Sequence, residues 1–463
     1  MFTARLRAAV ISILPRPLWQ RIESSALGYR LARGTFWSAT GAVSSRFFTL
    51  VSSVIVAHLL GRETFGKLGV IHGTVGMFAM LSSLGMGMTA AKYVAEFRKT
   101  DPARAGRIIG LSAMMAWATG TFFMLVLVVV APWLATHTLA APNLITPLRI
   151  GSGMLLLGAV IGAQSGALSG FEAFKETSHI AFITGAISLV SSVLGAWEFG
   201  LTGAVLALVL TQAMGALLYY LALRKKSRES SVPIRFSGAF AEARIIWRFS
   251  IPAVMGGAMV TPAFWACSAI IANTPHGYSE LGLFNAANQW RVAILMFPTM
   301  LAGVALPMLS SLRAEADAKG YRNLLLTNVK ISAGTSAAVA IVISCLSLFI
   351  MRTYGKSFAS GYPVLIVLCG VAVIMATLDV VGQSIASEGR MWFGFALNAI
   401  WAMVLITSTW TLRNSGALGL ALANLIAYGI HTLTSCGYVW LRFGNDRNWH
   451  TASQPLAKAE SLF

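Results

Sequence analysis

Twelve apolar stretches, each long enough to cross a lipid bilayer, follow one another along this chain of 463 residues. A membrane-spanning helix needs about 20 apolar residues, and the stretches lie at 36–60, 68–90, 108–131, 150–170, 178–198, 201–223, 248–273, 283–308, 329–351, 363–387, 391–413 and 416–441. Charged residues make up only 11% of the chain, whereas they make up about 25% of a soluble domain. The sequence therefore predicts an all-α polytopic membrane protein with about twelve transmembrane helices.

The basic residues are divided unevenly between the two sets of alternate loops. If the N-terminus lies in the cytoplasm, 27 of the 35 Lys and Arg residues fall in cytoplasmic segments, 6 fall in outer loops and 2 lie within spans. Lys and Arg accumulate in the cytoplasmic loops of membrane proteins, so we expect both termini in the cytoplasm. The same rule accounts for the net charge of +19, and we expect no nucleic-acid partner.

A hairpin of two apolar helices occurs twice. The first copy, at 36–84, contains a helix with Arg46, a turn at 61–67 and a second helix. A related stretch returns at a shift of 213 positions, which aligns Phe65 with Tyr278. An internal repeat of this kind predicts two pseudo-symmetric six-helix bundles with a pathway at their interface.

Charge and hydropathy together divide the chain into five segments. They are a basic amphipathic N-terminus at 1–34, an N-terminal six-helix bundle at 35–223, a basic linker at 224–247, a C-terminal six-helix bundle at 248–441 and a tail at 442–463. The first, third and last are expected in the cytoplasm. We expect the N-terminus to form an interfacial helix on anionic lipid, and a disordered basic tail is the alternative. The linker could also lie against the anionic leaflet surface.

Motifs of enzyme and cofactor sites are absent from the sequence. It has no phosphate-binding Gly-x-x-x-x-Gly-Lys-[Ser/Thr] loop and no His-Glu-x-x-His. The four cysteines fall within apolar spans and show no disulfide or metal-site spacing. We therefore expect no enzyme activity, no cofactor and no metal. The lone histidines His72 and His431 are interpreted as hydrogen-bonded structural groups, and the glycines at 158, 162, 166 and 170 as a face for close helix packing.

Three ionisable residues lie deep within the predicted spans. At about 1.5 Å per residue, Arg46 is about 15 Å from the cytoplasmic end of its span and Arg291 about 12 Å from the outer end of its own, while Asp379 lies deep in the tenth span. Such residues usually face a bundle interior or a wet cavity. Two arginines against one acid predict a basic cavity for an anionic substrate, such as a phosphate or pyrophosphate. Asn288 and Gln289 beside Arg291 could bind sugar hydroxyls. The alternative is a structural Arg–Asp pair.

Four stretches of the chain carry a resemblance to a known family. They are AHLLGRETFG at 57–66 with LGMG at 84–87, GFEAFK at 170–175, FSIP at 249–252 with LGLFNAA at 281–287 and Pro307, and GQSIASEGR at 382–390. In their order and spacing they resemble a Wzx-type polysaccharide or O-antigen flippase of the multidrug/oligosaccharidyl-lipid/polysaccharide exporter superfamily. The resemblance covers about residues 36–440.

The resemblance implies two MATE-like six-helix bundles around a central cavity. It implies movement of an undecaprenyl-pyrophosphate-linked oligosaccharide from the inner to the outer leaflet of the bacterial inner membrane, for exopolysaccharide, capsule or O-antigen synthesis. It also implies coupling to an ion gradient, and as partners a polysaccharide polymerase and other glycan-assembly membrane proteins. Arg46 and Arg291 match the cationic cavity of such flippases. Members often carry an acid in the seventh span, whereas this chain reads Phe-Trp-Ala-Cys-Ser at 264–268.

Two other functions are compatible with the same fold. A MATE-like exporter of small organic molecules would prefer an acidic cavity, which differs from the basic cavity expected here. A membrane scaffold of the glycan-assembly complex would bind the lipid-linked glycan without translocating it.

The charge distribution makes the topology testable by cysteine labelling from outside the cell in a cysteine-free background. A cysteine at position 354 is expected to react with an impermeant maleimide, because it lies in an outer loop, and one at position 228 is expected to stay unlabelled. Labelling at 228 together with protection at 354 would contradict the topology.

Overall fold

A computed structural model describes residues 26–245, 250, 259–315, 317–387 and 391–443. The expectations for 1–25 and 444–463, an interfacial helix or basic tail at the N-terminus and most of the C-terminal tail, lie outside the described residues.

The described chain is built from α-helices. Most are joined by short turns, and a longer segment connects the sixth helix to the seventh. In chain order they are α1 (Ala26–Ser83), α2 (Met86–Phe97), α3 (Pro102–Trp133), α4 (Ile145–Gly151), α5 (Gly153–Gly170), α6 (Phe174–Glu229), α7 (Val260–Ala272), α8 (Gly277–Ala314), α9 (Ala318–Cys345), α10 (Ser347–Thr353), α11 (Tyr362–Ser387), α12 (Met391–Leu412) and α13 (Gly416–Phe443). A π-helical turn, Leu134–Thr138, extends α3, and 3₁₀ turns occur at Pro142–Leu144, Ala239–Glu242, Lys356–Gly361 and Arg413–Ser415.

These helices account for the predicted spans. Seven helical segments of the described chain are long and apolar enough to cross a membrane, and three of them, with 64, 56 and 47 residues, are long enough for two crossings each. Helix α7 is apolar with 13 described residues, and α8 has 38 residues but carries a polar stretch around Arg291. The predicted fold class, an all-α membrane protein of about twelve spans in two bundles, is confirmed.

Two glycines separate consecutive spans within the longest helices. Gly61 has φ 73° and ψ 170° inside α1, and Gly200 has φ 57° and ψ −134° inside α6. Positive φ carries no Cβ penalty for glycine, so one residue is enough to interrupt each helix. The predicted seven-residue turn at 61–67 is therefore wrong, since the helix resumes at Arg62.

Each half of the chain packs mainly on itself. In the N-terminal half α1 packs on α6, and α5 packs on α2 and α3; in the C-terminal half α11 packs on α8, α9 and α13. The two halves meet where α1 packs on α7 and α8. The predicted glycine face packs closely at Gly166 and Gly170, because a Cβ there would lie 2.0 Å from the Gly87 carbonyl oxygen and 2.7 Å from Val94 Cβ.

The two halves are joined at the predicted outer end by polar contacts. Arg62 forms an ion pair with Glu280 and donates from Nε to the Ser279 carbonyl at 2.9 Å. Within the C-terminal half, Glu280 also accepts the Ala417 N–H at 2.8 Å, which fixes the carboxylate that pairs with Arg62. Tyr278 donates its hydroxyl to the Leu139 carbonyl at 2.6 Å. These contacts close this end of the interface.

The same end is also closed by backbone packing between α1 and α8. A Cβ on Gly66 would lie 1.8 Å from the Tyr278 carbonyl oxygen, and a Cβ on Gly282 would lie 2.1 Å from the Arg62 carbonyl oxygen. Small residues at such crossings let helix backbones approach closely in a membrane.

Position 354, expected to react in the labelling test, is buried in the structure. Tyr354 has no exposed surface, and its ring lies 6.4 Å from that of Phe65. Lys356, two residues further on, is exposed. A cysteine at 356 is therefore the better outer reporter.

The α1–α8 crossing makes a testable prediction about stability. Gly66→Ala should lower the melting temperature of the purified protein by several degrees, because the added methyl group overpacks the crossing at a cost of about 1–3 kcal/mol. Gly73→Ala is the matched control on the same helix, since a Cβ at Gly73 has no neighbour within 4 Å. Equal melting temperatures for the two variants would contradict the close packing.

Candidate functional site

A cavity of about 570 Å³ lies between the two halves, with walls from α1, α6, α7 and α8. Its lining is rich in hydroxyl, amide and other polar side chains: Thr49, Ser52, Ser53, His72, Ser188, Ser192, Thr261, Trp265, Ser268, Asn285, Asn288, Gln289 and Arg291. Aromatic and aliphatic side chains, among them Phe264 and Phe284, complete the walls.

Arg291 is the charged residue in this lining, and it is only 6% exposed. One terminal nitrogen, Nη1, lies 3.4 Å from Asn424 Oδ1 and 3.6 Å from Met375 Sδ. The guanidinium carbon lies 5.4 Å from the centre of the Phe264 ring. Nε is buried without a hydrogen-bond partner, and no described acid forms an ion pair with the side chain. Arg291 is therefore a desolvated cation whose charge is not neutralised by a described carboxylate.

Asn288 and Gln289 line the same cavity as Arg291. The Asn288 side-chain oxygen is buried without a hydrogen-bond partner. All three residues lie within about one turn of α8 and line the same cavity, although they do not share one narrow helix face. The structure therefore brings together three of the five residues predicted for the site.

Arg46 lies outside the lining of this cavity, near its wall. It is one turn from Thr49 and two turns from Ser53 on α1, so the three share a face. Its guanidinium lies within electrostatic range of Tyr354, whose hydroxyl is 3.2 Å from Ser53 Oγ. Two of its nitrogens, Nε and Nη2, are buried without a hydrogen-bond partner. Arg46 thus extends the cavity-lining face of α1 towards the predicted cytoplasmic end.

Asp379 lies in a different cavity, inside the C-terminal half. That cavity has a volume of about 410 Å³, and its polar lining is Asp379, Gln383, Asn398, Tyr428, His431 and Ser435. Asp379 therefore does not line the same cavity as Arg291, but the two residues are linked, because Tyr428, which lines the second cavity, lies within electrostatic range of both. Trp401 lines the second cavity and packs on one aromatic ring from each side. The centre of its ring lies 5.5 Å from that of Phe264 and 5.2 Å from that of Tyr428.

The alternative of a structural Arg–Asp pair has no support in the described contacts. None of the described ion pairs involves Asp379, Arg46 or Arg291. Arg291 and Asp379 line neighbouring cavities with Tyr428 within electrostatic range of both, and Arg46 lies beside the first cavity.

The hydroxyl groups of α1 and α6 and the whole second cavity were not predicted. On α1 the spacing of Thr49, Ser52, Ser53 and Val56 follows one helix face and continues the line from Arg46. That periodicity is the signal that would have identified the wall. His72 and His431, interpreted as structural groups, line the first and second cavity respectively.

The fold is similar to that of known transporters. The chain superposes on an inward-facing multidrug resistance MATE family transporter of the MOP superfamily with a TM-score of 0.72 and 17% identity, covering 86% of this chain and 95% of the other. An outward-facing MATE transporter gives a TM-score of 0.67 and 15% identity, with coverages of 90% and 95%. At these identities the likeness establishes the MATE-like fold.

The sequence is also similar to a curated bacterial protein. It is 24% identical over 432 residues to the EPS I polysaccharide export inner membrane protein EpsE of Ralstonia solanacearum, covering 89% of this chain and 93% of that protein. These relatives are exporters and transporters rather than enzymes, in line with the expectation that this chain is not an enzyme.

The model of the family described as polysaccharide biosynthesis protein matches residues 31–313. That match spans more than half of the chain and includes α1 to α7 and most of α8. Together with the fold, it confirms the resemblance to polysaccharide flippases of the MOP superfamily. The chain belongs to the polysaccharide biosynthesis protein family and is a multi-pass inner-membrane transporter with a MATE-like fold.

Proposed function

We propose that this protein moves an undecaprenyl-pyrophosphate-linked oligosaccharide from the inner to the outer leaflet of the inner membrane. The observation that carries the proposal is Arg291, a buried cation without a described acidic partner in a polar cavity between two helical halves. The similarity to the Ralstonia protein EpsE, which is named as a polysaccharide export protein, supports the same substrate class.

The charge of the cavity favours an anionic group. A buried arginine without a carboxylate is costly, and an entering phosphate oxygen would supply the missing negative charge. The planar guanidinium can bind two phosphate oxygens at once. In the proposed path Arg46 meets the pyrophosphate first, and Arg291 binds it deeper in the interface.

The rest of the lining suits a glycan. Serine and threonine hydroxyls both donate and accept hydrogen bonds, as do the amides of Asn285, Asn288 and Gln289. Apolar surface from Phe264 and Trp265 alternates with these groups. Sugars present hydroxyl groups and apolar ring faces, so both parts of the lining have a complement on the proposed substrate.

Transport would proceed by alternating access between the two halves. Contacts of Arg62, Glu280 and Tyr278 close the predicted outer end, and they must break for release to the outer leaflet. We propose that Asp379 couples the cycle to an ion gradient from the second cavity, beside His431 and Tyr428. The aromatic contacts of Trp401 would transmit the change to the central cavity.

An exporter of small organic cations is the second candidate, and the cavity argues against it. Among the described residues, the lining of the central cavity contains an arginine and no Asp or Glu. A cation would therefore meet an unfavourable field on entering. A scaffold role, with the polysaccharide polymerase and other glycan-assembly proteins as partners, would leave binding intact and translocation absent.

Arg291 can be tested by separating transport from folding. Arg291→Gln should reduce glycan export and translocation of the lipid-linked glycan in proteoliposomes at least tenfold, because the anion loses its charge partner. Its melting temperature in detergent should be unchanged or higher, since a buried charge without a described acidic partner is removed. Arg291→Lys should retain part of the activity, because charge persists without the bidentate geometry.

Arg46→Gln is expected to behave similarly with a smaller loss, since Arg46 lies outside the lining. Arg322→Gln, which removes an exposed arginine, is the matched control and should transport normally. Native transport rates in folded Arg46→Gln and Arg291→Gln would contradict the proposal. A large loss of stability in Arg291→Gln would indicate a structural role instead.

Asp379 generates a separate prediction about coupling. Asp379→Asn should leave binding of the lipid-linked glycan unchanged, because Asp379 is outside the central cavity, and should abolish the acceleration of transport by an imposed ion gradient. The measurement compares proteoliposomes with and without a proton or sodium gradient. Gradient-dependent transport by Asp379→Asn would exclude Asp379 from coupling.

A further inference from the structure

A second basic pocket lies at the end of α6, away from the central cavity. It has a volume of about 530 Å³ and is enclosed by the last turns of α6 and the segment that follows them. The helix contributes Tyr220, Arg224, Ser227 and Arg228, and the following segment contributes 231–234 and Phe236.

The two arginines of this pocket have no described acidic partner. Arg224 and Arg228 are exposed and four positions apart, so they are neighbours on one face of the helix. Two acids near these arginines pair with Lys226 instead: Glu176, from the first turn of α6, lies 3.9 Å from the Lys226 ammonium, and Glu229, from the last turn, lies 3.1 Å from it. Two positive charges therefore face the pocket without a carboxylate.

An exposed apolar stripe leads along α6 to these arginines. Its members recur every three or four residues on the helix, and their exposed fractions run from 41% to 58%: Leu206, Leu210, Met214, Leu217, Tyr220 and Leu221. In a multi-pass membrane protein such a stripe faces lipid acyl chains. Arg224 and Arg228 continue the stripe at its end, which is the level of the lipid headgroups.

The segment after α6 is held firmly as the other wall of the pocket. The Val232 N–H donates to the Ser227 carbonyl at 3.0 Å, and the Arg235 N–H donates to the Gly106 carbonyl at 3.2 Å. Glu242 pairs with both Arg104 and Arg107 of α3, at 3.1 Å each. Phe236 remains 57% exposed at the rim, as aromatic side chains at a membrane interface commonly are.

We propose that this pocket binds the phosphate headgroup of one anionic phospholipid, such as phosphatidylglycerol. The two guanidinium groups bind the phosphate oxygens, the acyl chains lie along the apolar stripe of α6, and Phe236 anchors the rim in the interface. This lipid site is independent of the proposed transport substrate. The bound lipid would fix the position of the N-terminal half in the membrane leaflet while the C-terminal half moves.

The site can be tested by native mass spectrometry of the delipidated full-length protein. Phosphatidylglycerol and phosphatidylcholine with identical acyl chains are titrated separately, and the dissociation constant of the first lipid bound is measured. The wild type should prefer phosphatidylglycerol by about tenfold, because each basic residue at the surface strengthens the attraction to an anionic headgroup. The variant Arg224→Gln/Arg228→Gln should lose that preference.

The matched control is Lys319→Gln/Arg322→Gln, which removes two exposed charges from the C-terminal half and should keep the preference. Arg224→Lys/Arg228→Lys should keep part of it. Equal preference for phosphatidylglycerol in the pocket variant and the control would overturn the proposal. Loss of the preference in the control as well would also overturn it, because the selectivity would then follow the net charge of the protein rather than this pocket.

Discussion

The buried charge of Arg291 is the constraint on which this account of the structure depends. Moving an arginine away from water costs several kcal/mol unless an acid and further hydrogen bonds compensate it. Elsewhere the chain provides such acids: Arg62 pairs with Glu280, Arg98 with Glu172, and Arg104 with Glu242. At Arg291 it provides an amide oxygen, a sulfur, an aromatic ring and the Tyr428 hydroxyl instead. These neutral partners hold the guanidinium in place and leave its charge available to an anion.

The packing of the two halves keeps this charge between them. Backbones cross closely at Gly66 and Gly282 at the predicted outer end, whereas further along the same helices the interface opens into the polar cavity. A closed end next to a cavity is the geometry that alternating access requires. The described closing contacts are the Arg62–Glu280 ion pair, hydrogen bonds of Arg62 and Tyr278, the glycine crossing and the packing of Phe65 on Tyr354 and Phe358. All of them run between the halves, so they can separate while the packing within each half is kept.

Much of the fold could be predicted from the sequence, because membrane helices depend on a property that hydropathy reports directly. The spans, the division into two bundles and the depth of Arg46, Arg291 and Asp379 all follow from the lengths of apolar stretches. Depth along a helix does not fix the direction in which a side chain points. For that reason the sequence does not show that Asp379 faces a second cavity, or that hydroxyl groups of α1 and α6 line the central one. The polar residues at 62–67 predict a loop after the first span, whereas in the structure Gly61 alone interrupts the helix.

The central claim is that Arg291 binds the anionic head of a lipid-linked glycan, and equilibrium binding tests it most directly. Purified wild type and Arg291→Gln would be titrated with a short-chain prenyl pyrophosphate carrying a sugar and, separately, with the uncharged prenyl glycoside. We expect Arg291→Gln to bind the pyrophosphate compound at least tenfold more weakly, a loss of about 1.4 kcal/mol or more, and the uncharged glycoside as the wild type does. Equal affinity of the two proteins for the pyrophosphate compound would contradict the claim.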